Sequence, residues 1–256
     1  MKRLQDRVAI ITGSGQGMGL AIAKCLAAEG AQIVITDIND QTIANAVEEI
    51  KSMGVNAVGV KMDVTNKAQI IAMADEVVAK LGRIDILVNN AGGSLNTPYK
   101  LDEIEEKHWD LVVNVNMKGT FLCCQAVLPH MAKQGSGAIV NISALAGHWR
   151  ASLAGVQYTA AKAGVEGISR QLAYDWGAKG IRVNALAPTV TMTGDRMQGL
   201  WDNKGEEERQ RIVSQIPLRR LSTPGEIGAG VVFLASDESS YITGITLDVC
   251  GGRYLR

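Results

Sequence analysis

Seven short apolar runs recur along the chain, each followed by a longer stretch with helical periodicity: VAIITG from Val8, QIVITD from Gln32, AVGVKMD from Ala57, IDILVNNAG from Ile84, GAIVNIS from Gly137, IRVNALAP from Ile181 and GITLDVCGG from Gly244. A strand that faces water on one side alternates polar and apolar residues. Near-continuous apolarity marks a strand covered on both faces, as in a parallel sheet. Parallel neighbours need crossover connections, and stretches such as MGLAIAKCLAAEG and QTIANAVEEIKSMG supply them, each ending in a glycine suited to a left-handed helix cap. The expected fold is α/β, a doubly wound seven-stranded parallel sheet, with its ligand crevice beyond the carboxyl ends of the strands. No linker, repeat or low-complexity segment interrupts the pattern, so residues 1–256 read as a single domain.

Charge narrows the partners. With 26 basic and 26 acidic side chains the chain has no net field to attract nucleic acid or an anionic membrane surface. No apolar run approaches the roughly 20 residues that span a bilayer. A small-molecule substrate and further copies of the chain are the expected partners. The cysteines Cys25, Cys123, Cys124 and Cys250 lack paired spacing, and the N-terminal residues enter a strand too soon for a signal peptide, which together predict a cytoplasmic protein.

The first strand runs into TGSGQGMG, Thr12 to Gly19, and then a helix. Glycines here let the backbone turn tightly and approach a pyrophosphate, whose charge meets the free N–H groups and positive dipole of the helix N-terminus. This is the Rossmann-type arrangement, and Gly13, Gly17, Met18 and Gly19 are its candidate cofactor contacts. Asp37 ends the second run, where a carboxylate accepts both adenosine ribose hydroxyls and repels a 2′-phosphate. That favours NAD over NADP. The competing readings are a plain turn and, for Asp37, a capping role within DIND.

Tyr158 and Lys162 stand at i, i+4 and share one helical face. A phenol with an ordinary pKa of about 10 is a poor base at neutral pH, but a neighbouring ammonium favours phenolate. The pair therefore suits general acid/base chemistry on an alcohol or ketone.

Together with Asp63-Val64, Asn89-Asn90-Ala91-Gly92, Asn116-Met117-Lys118-Gly119, Asn184 and Pro188, these motifs resemble the classical short-chain dehydrogenases/reductases over nearly the whole chain. The resemblance implies that Asp63 and Val64 contact the adenine and that Asn90, Ala91 and Gly92 lie beneath the cofactor. It also implies that Asn116, Tyr158 and Lys162 serve catalysis, with Lys162 also holding the nicotinamide ribose and Asn116 a water that joins Lys162 to solvent. Pro188, Thr191 and Thr193 belong to the nicotinamide-binding segment, although Thr189 and Thr191 stand where the family usually has Gly and Ile or Val. A homotetramer is implied as well.

One position departs from the pattern. The family's catalytic serine, which polarises the substrate oxygen, usually stands three residues before a glycine; in Asn141-Ile142-Ser143-Ala144-Leu145-Ala146-Gly147 that position is Ala144, and Ser143 is one early. Successive strand residues point to opposite faces, so the offset matters. Either a bulge turns Ser143 toward the substrate, or alanine has replaced the serine, or the protein works with other donors, His148 among them. Ser143 is carried as the candidate donor.

His148, Trp149 and Arg150 follow, where such a fold places the substrate wall; Trp149 offers an apolar face and Arg150 a partner for an anion. Residues about 189–215, including Met192, Arg196, Met197 and Trp201, are expected to cover the substrate, with the polar stretch WDNKGEEERQRI either a solvated helix or part of a mobile lid. His108, His130 and His148 form no ligand motif, so no metal is expected. The reading is an NAD-dependent oxidoreductase that interconverts a secondary alcohol and a ketone. The alternatives are a 3-oxoacyl carrier-protein reductase-like enzyme and a catalytically impaired dinucleotide-binding protein.

Overall fold

The computed structural model describes residues 2–255, the side chains of Asp195 and Arg196 excepted. Its strands are β1 Val8–Thr12, β2 Gln32–Asp37, β3 Ala57–Lys61, β4 Ile86–Asn89, β5 Gly137–Ile142, β6 Ile181–Pro188 and β7 Thr246–Val249. They form one seven-stranded sheet in the order β3-β2-β1-β4-β5-β6-β7, and every neighbouring pair is parallel. All seven lie in the apolar runs, and the chain is Rossmann-like as expected.

The helices are α1 Gly17–Ala28, α2 Asp40–Ser52, α3 Lys67–Leu81, α4 Glu106–Val113, α5 Gly119–Gln134, α6 Val156–Trp176, α7 Asp195–Asp202, α8 Glu206–Ser214 and α9 Pro224–Ala235. Strand parity sorts the core into two layers. Ala9 and Ile11 of β1 face one way and pack with Ile22 and Leu26 of α1, Ile43 of α2 and Val231 of α9. Val8 and Ile10 face the other way, toward Ile70 and Met73 of α3 and Cys123 and Val127 of α5. Continuous apolarity is thus explained for the central strands, which are buried throughout β1 and β4. It does not hold at the edges: β3 alternates between covered and exposed residues, and all four residues of β7 are only partly covered, because an edge strand has one neighbour and thinner helix cover.

The strand order reverses between β1, which continues to β2 and β3, and β4, which continues to β5, β6 and β7. At such a switch point the loops leave the sheet in opposite directions and open a crevice. The glycine turn, Asp37, Asp63-Val64, the stretch Asn90, Ala91 and Gly92, Ser143 and Pro188 lie at or just beyond the carboxyl ends of β1 to β6, while Tyr158 and Lys162 stand on α6 and Asn116 on the helical turn before α5.

α4 and α5 are one continuous helix, joined by a π-helical turn over Asn114–Lys118. The resulting run, Glu106–Gln134, is 29 residues long, and its length and apolarity are enough to cross a bilayer, which the apolar runs alone did not suggest. Half of its most apolar window is buried inside the protein, where Leu122, Cys123 and Val127 pack on the sheet. Core packing accounts for that apolarity.

Candidate active site

The glycine turn is shaped for close approach. Gly13 has φ +61°, and a Cβ there would lie 2.9 Å from Ala91 Cα; a Cβ on Gly19 would collide with the Gly13 carbonyl oxygen. The turn is locked to the loop after β4 through Thr12, whose Oγ1 accepts from the Asn90 and Ala91 amides at 3.0 Å, while Asn90 Nδ2 donates to the Thr12 and Gly13 carbonyls. Helices α2 and α3 carry asparagine N-caps, Asn39 and Asn66, but Gln16 at the N-cap of α1 makes no side-chain cap bond. The first-turn N–H groups of α1, at Gly17 and Met18, are therefore open to an anion.

Asp37 closes the other side. Its Oδ2 accepts the Gly15 amide at 3.0 Å and its Oδ1 the Ile38 amide at 2.8 Å, which fixes the carboxylate at the mouth of the turn. Lys61 is its neighbour in the β2–β3 register, but that ammonium is paired with Asp40 at 2.5 Å, and the residue after Asp37 is an exposed isoleucine. Asp63 lies at the end of β3 with its Oδ1 accepting from the Thr65 amide and hydroxyl, and Val64 is buried against Gly119.

The π turn aims Asn116. Its Nδ2 donates to the Val112 carbonyl at 2.9 Å and the Gly93 carbonyl at 3.0 Å, and its Oδ1 accepts the Gly93 amide at 2.9 Å. The side-chain amide is thus committed to clamping the loop around Gly92 and Gly93 to the helix, and the Asn116 main-chain carbonyl already accepts the Thr120 hydroxyl.

Tyr158 and Lys162 sit one turn apart in α6, both on the wall of a cleft also lined by Met18, Asn90, Gly92, Pro188, Thr191 and Thr193. Lys162 is almost fully buried; its Nζ donates to the Ile142 carbonyl at 2.7 Å and lies 5.6 Å from the centroid of the Tyr158 ring. Burial away from water lowers its pKa from 10.5 to about 8. At neutral pH the group is still cationic, and it stands beside a phenol.

Ser143 borders the same cleft, but its hydroxyl is directed to α6. Its single O–H is shared between Glu166 Oε1 at 2.9 Å and the Lys162 carbonyl at 3.2 Å, and the residue is 1% exposed. Its amide donates to the Leu186 carbonyl. Ala144, in extended conformation with φ −162° and ψ 159°, turns the opposite way and puts its methyl group on the cleft wall. The bulge that would have redirected Ser143 is not present.

The HWR stretch is divided in the same manner. His148 is held between two carboxylates: Nδ1 lies 2.9 Å from Glu166 Oε1, and Nε2 lies 3.0 Å from Asp248 Oδ1, within ion-pair range although off the hydrogen-bond line. Its ring packs 5.0 Å from that of Tyr254. The guanidinium groups of Arg150 and Arg253 both approach the Trp149 ring, at 4.9 and 5.6 Å from its centroid. Of the three residues expected on the substrate wall, Arg150 lines the cleft.

Beyond Pro188 the chain crosses the cleft. The Thr193 carbonyl comes within 3.3 Å of where a Gly17 Cβ would be, the Thr191 hydroxyl is held by Ser222 at 2.6 Å, and Met197 and Leu200 of α7 line the cleft. The polar stretch takes in the last two residues of α7, the turn after it and most of α8, tied by exposed ion pairs such as Arg209 with Glu206. The Arg196 side chain lies outside the described residues. Two contributors escaped the sequence reading: Glu166, whose i+4 spacing from Lys162 was a usable signal, and Arg253, which reaches the cleft from the tail beyond β7. Among the described residues no group of three or more His, Cys, Asp or Glu is placed to hold a metal ion.

Comparison with known proteins agrees with this geometry. The family model described as enoyl-(acyl carrier protein) reductase matches residues 13–253. The chain is 42% identical to the BbsD subunit of a hydroxy(phenyl)methylsuccinyl-CoA dehydrogenase from Thauera aromatica, covering 98% of each. It is 38% identical to the 3-oxoacyl-acyl-carrier-protein reductase FabG of Thermotoga maritima, again over 98% of each. Among solved structures it resembles a gluconate 5-dehydrogenase from Burkholderia cenocepacia in complex with NADP and tartrate, with 35% identity, a TM-score of 0.91 and coverage of 98% of this chain and 96% of that one. It also resembles an NAD+-bound xylitol dehydrogenase, with 30% identity, a TM-score of 0.92 and coverage of 98% and 100%.

Proposed function

Since this chain belongs to the short-chain dehydrogenase/reductase family of oxidoreductases, we propose that it interconverts a secondary alcohol and a ketone with NAD as its hydride carrier. The observation that carries the reading is the pairing of Tyr158 with a buried, cationic Lys162 on a cleft that runs to the open N-terminus of α1. The residues fit a dinucleotide. Glycines stand where a Cβ would collide, the first-turn N–H groups of α1 would hold the diphosphate, and Asp37 would accept the adenosine ribose hydroxyls and disfavour a 2′-phosphate. Bound there, the nicotinamide would take hydride from the carbinol carbon or return it.

In oxidation, Tyr158 takes the proton from the substrate hydroxyl; in reduction it gives one to the carbonyl oxygen. Lys162 keeps the phenolate accessible by its charge and would hold the nicotinamide ribose. Asn116 fixes the Gly92–Gly93 loop under the cofactor through its amide clamp, and its main-chain carbonyl keeps a second lone pair for a water leading to Lys162. With a methyl group at Ala144, Tyr158 polarises the substrate oxygen without the usual serine, so the reaction runs below the rate such a site can reach.

A 3-oxoacyl reductase-like activity is the second reading, favoured by the 38% identity to FabG; an impaired binding protein is the third, favoured by Ala144. The test is the initial rate of NAD+ and NADP+ reduction over a panel of secondary alcohols and 3-hydroxyacyl thioesters. Turnover of alcohols with NAD+ supports the proposal, turnover of thioesters alone supports the second reading, and NADH binding without any turnover supports the third.

The free thiols at Cys25, Cys123, Cys124 and Cys250 favour a reducing, cytoplasmic setting. Exposed Trp109, Leu111 and Phe121 along α4–α5, with Val156 and Tyr174 on α6, favour association with further copies into a homotetramer. Sedimentation that gives a stable monomer would refute the latter.

A further inference from the structure

The cleft beside Tyr158 is locally positive in a chain of zero formal charge. Its charged lining, among the described residues, is Arg150, Lys162 and Arg253, with no aspartate or glutamate. Lys162 is engaged by the Ile142 carbonyl and the catalytic tyrosine. The two arginines lack such a role. They stand on the Trp149 ring, 4.9 and 5.6 Å from its centroid, and neither forms an ion pair among the described residues.

Arg253 is held in place by neutral groups only. Its Nη2 donates to Ser152 Oγ at 2.9 Å and Gln215 Oε1 at 3.0 Å, its Nη1 to Thr189 Oγ1 at 3.4 Å, and its buried Nε has no partner among the described residues. Burial, followed by the charges of Arg150 and Arg211, pushes its pKa below the ordinary arginine value. A desolvated cation facing a second cation with no counter-ion is costly. The cost disappears when an anion enters between them, and the neutral collar of Ser152, Thr189 and Gln215 holds the guanidinium ready for that event without neutralising it.

We propose that Arg253 and Arg150 form the anion-recognition site of the substrate pocket, so that the alcohol or ketone handled here carries a carboxylate or phosphate group. The inference rests on the oxidoreductase reading for the identity of the substrate but not for the site itself. A carboxylate would belong to a small hydroxy acid, whereas a phosphate would belong to the carrier arm of a thioester. Arg253 lies on the tail beyond β7, and Arg150 on the loop between β5 and α6. An anion bridging them also ties the tail to the loop that carries Ala144.

The test is calorimetric binding of hexanoate, hexyl phosphate and hexanamide to the NADH-loaded protein, none of which can react. Both anions, or one of them, should bind about tenfold to a hundredfold more tightly than the amide, as a charge-assisted bond to a partly buried guanidinium implies. That preference should fall in Arg150→Met and vanish in Arg253→Met. Preference for hexanoate assigns a hydroxy acid, and preference for hexyl phosphate a carrier arm. Equal binding of all three, or binding of none, overturns the proposal; so does a preference that both variants leave intact. Arg150 is exposed, so its variant reports even where the loss of Arg253 disturbs the tail. Anion-selective binding in a protein that turns over no secondary alcohol, hydroxy acid or 3-hydroxyacyl thioester with either dinucleotide would refute the proposed alcohol–ketone reaction while leaving this site standing. NAD+-dependent turnover with equal binding of acid and amide would do the reverse.

Discussion

Ala144→Ser should raise the turnover number by about 10²- to 10³-fold, the amount usually lost when one donor to a developing oxyanion is removed, or about 2.7–4 kcal/mol. The structure permits the substitution without strain. Ala144 is in ordinary extended conformation, its Cβ lines the cleft next to Tyr158, and the residue is 8% exposed, so the new hydroxyl enters a space open to substrate or solvent. The companion change, Ser143→Ala, should behave in the opposite way. It removes a buried bond of 2.9 Å to the Glu166 carboxylate, worth about 2 kcal/mol for a hydrogen bond to a charged group. In a chain of this size that lowers the melting temperature by roughly 4–8 °C. Its turnover number should stay within about threefold of the parent, because the hydroxyl never meets substrate. NADH formation at saturating alcohol and thermal unfolding on the parent, both single variants and the double variant read all four quantities. A Ser143→Ala protein of unchanged stability and abolished turnover, with no gain from Ala144→Ser, would refute the assignment and make Ser143 the working donor.

Three further expectations follow from individual contacts. Lys162 has a folded pKa of about 8 against an ordinary 10.5, so between those values the unfolded chain binds more protons. Stability of the cofactor-free protein should therefore rise as pH increases through this window, by up to about 3 kcal/mol. Lys162→Met should abolish that rise in urea unfolding, and an unchanged profile would contradict it. Asp37→Ser combined with Ile38→Arg removes the carboxylate that repels a 2′-phosphate and adds a cation for it. The ratio of kcat/KM for NADP+ to that for NAD+ should increase by about 10²-fold or more, and an unchanged ratio would remove Asp37 from cofactor choice. His148→Ala leaves Glu166 and Asp248 without the imidazole between them and should cost about 2–4 kcal/mol in unfolding free energy. Glu166→Gln in the same background should restore part of that loss; no restoration would mean the ring matters for packing on Tyr254 alone.

The sheet was legible because burial on both faces leaves a mark in a single strand: β1 and β4 are apolar up to their last residues, the buried and hydrogen-bonded Thr12 and Asn89. The edge strands were less so, since β7 shares the composition of a covered strand while its cover is partial. At the site, Tyr158 with Lys162 and the glycine turn with Asp37 are local patterns, each set by one helix or one turn, and the structure brings them onto a single cleft. Ser143 depended on strand parity at the end of β5, where the offset from the usual position was visible but its direction was not. His148 and Arg253 were illegible for a different reason. Asp248 and Ser152, the groups that fix them, lie far away in sequence, and no local period encodes a contact across β7 and the loop that follows β5. A lone histidine after a strand then looks like a substrate donor, and an arginine in the tail carries no signal.

The central claim is that Tyr158, with Lys162 beside it, moves the proton while NAD takes the hydride. Its most direct test compares NAD+ reduction by the protein and by Tyr158→Phe over the same alcohol panel, with NADH affinity measured on both. The account predicts turnover with NAD+ in the parent, a loss of about 10²- to 10⁴-fold in the variant for removal of a positioned acid/base, and unchanged NADH binding. Equal rates in the two proteins, or NADH binding with no turnover in the parent, would contradict it.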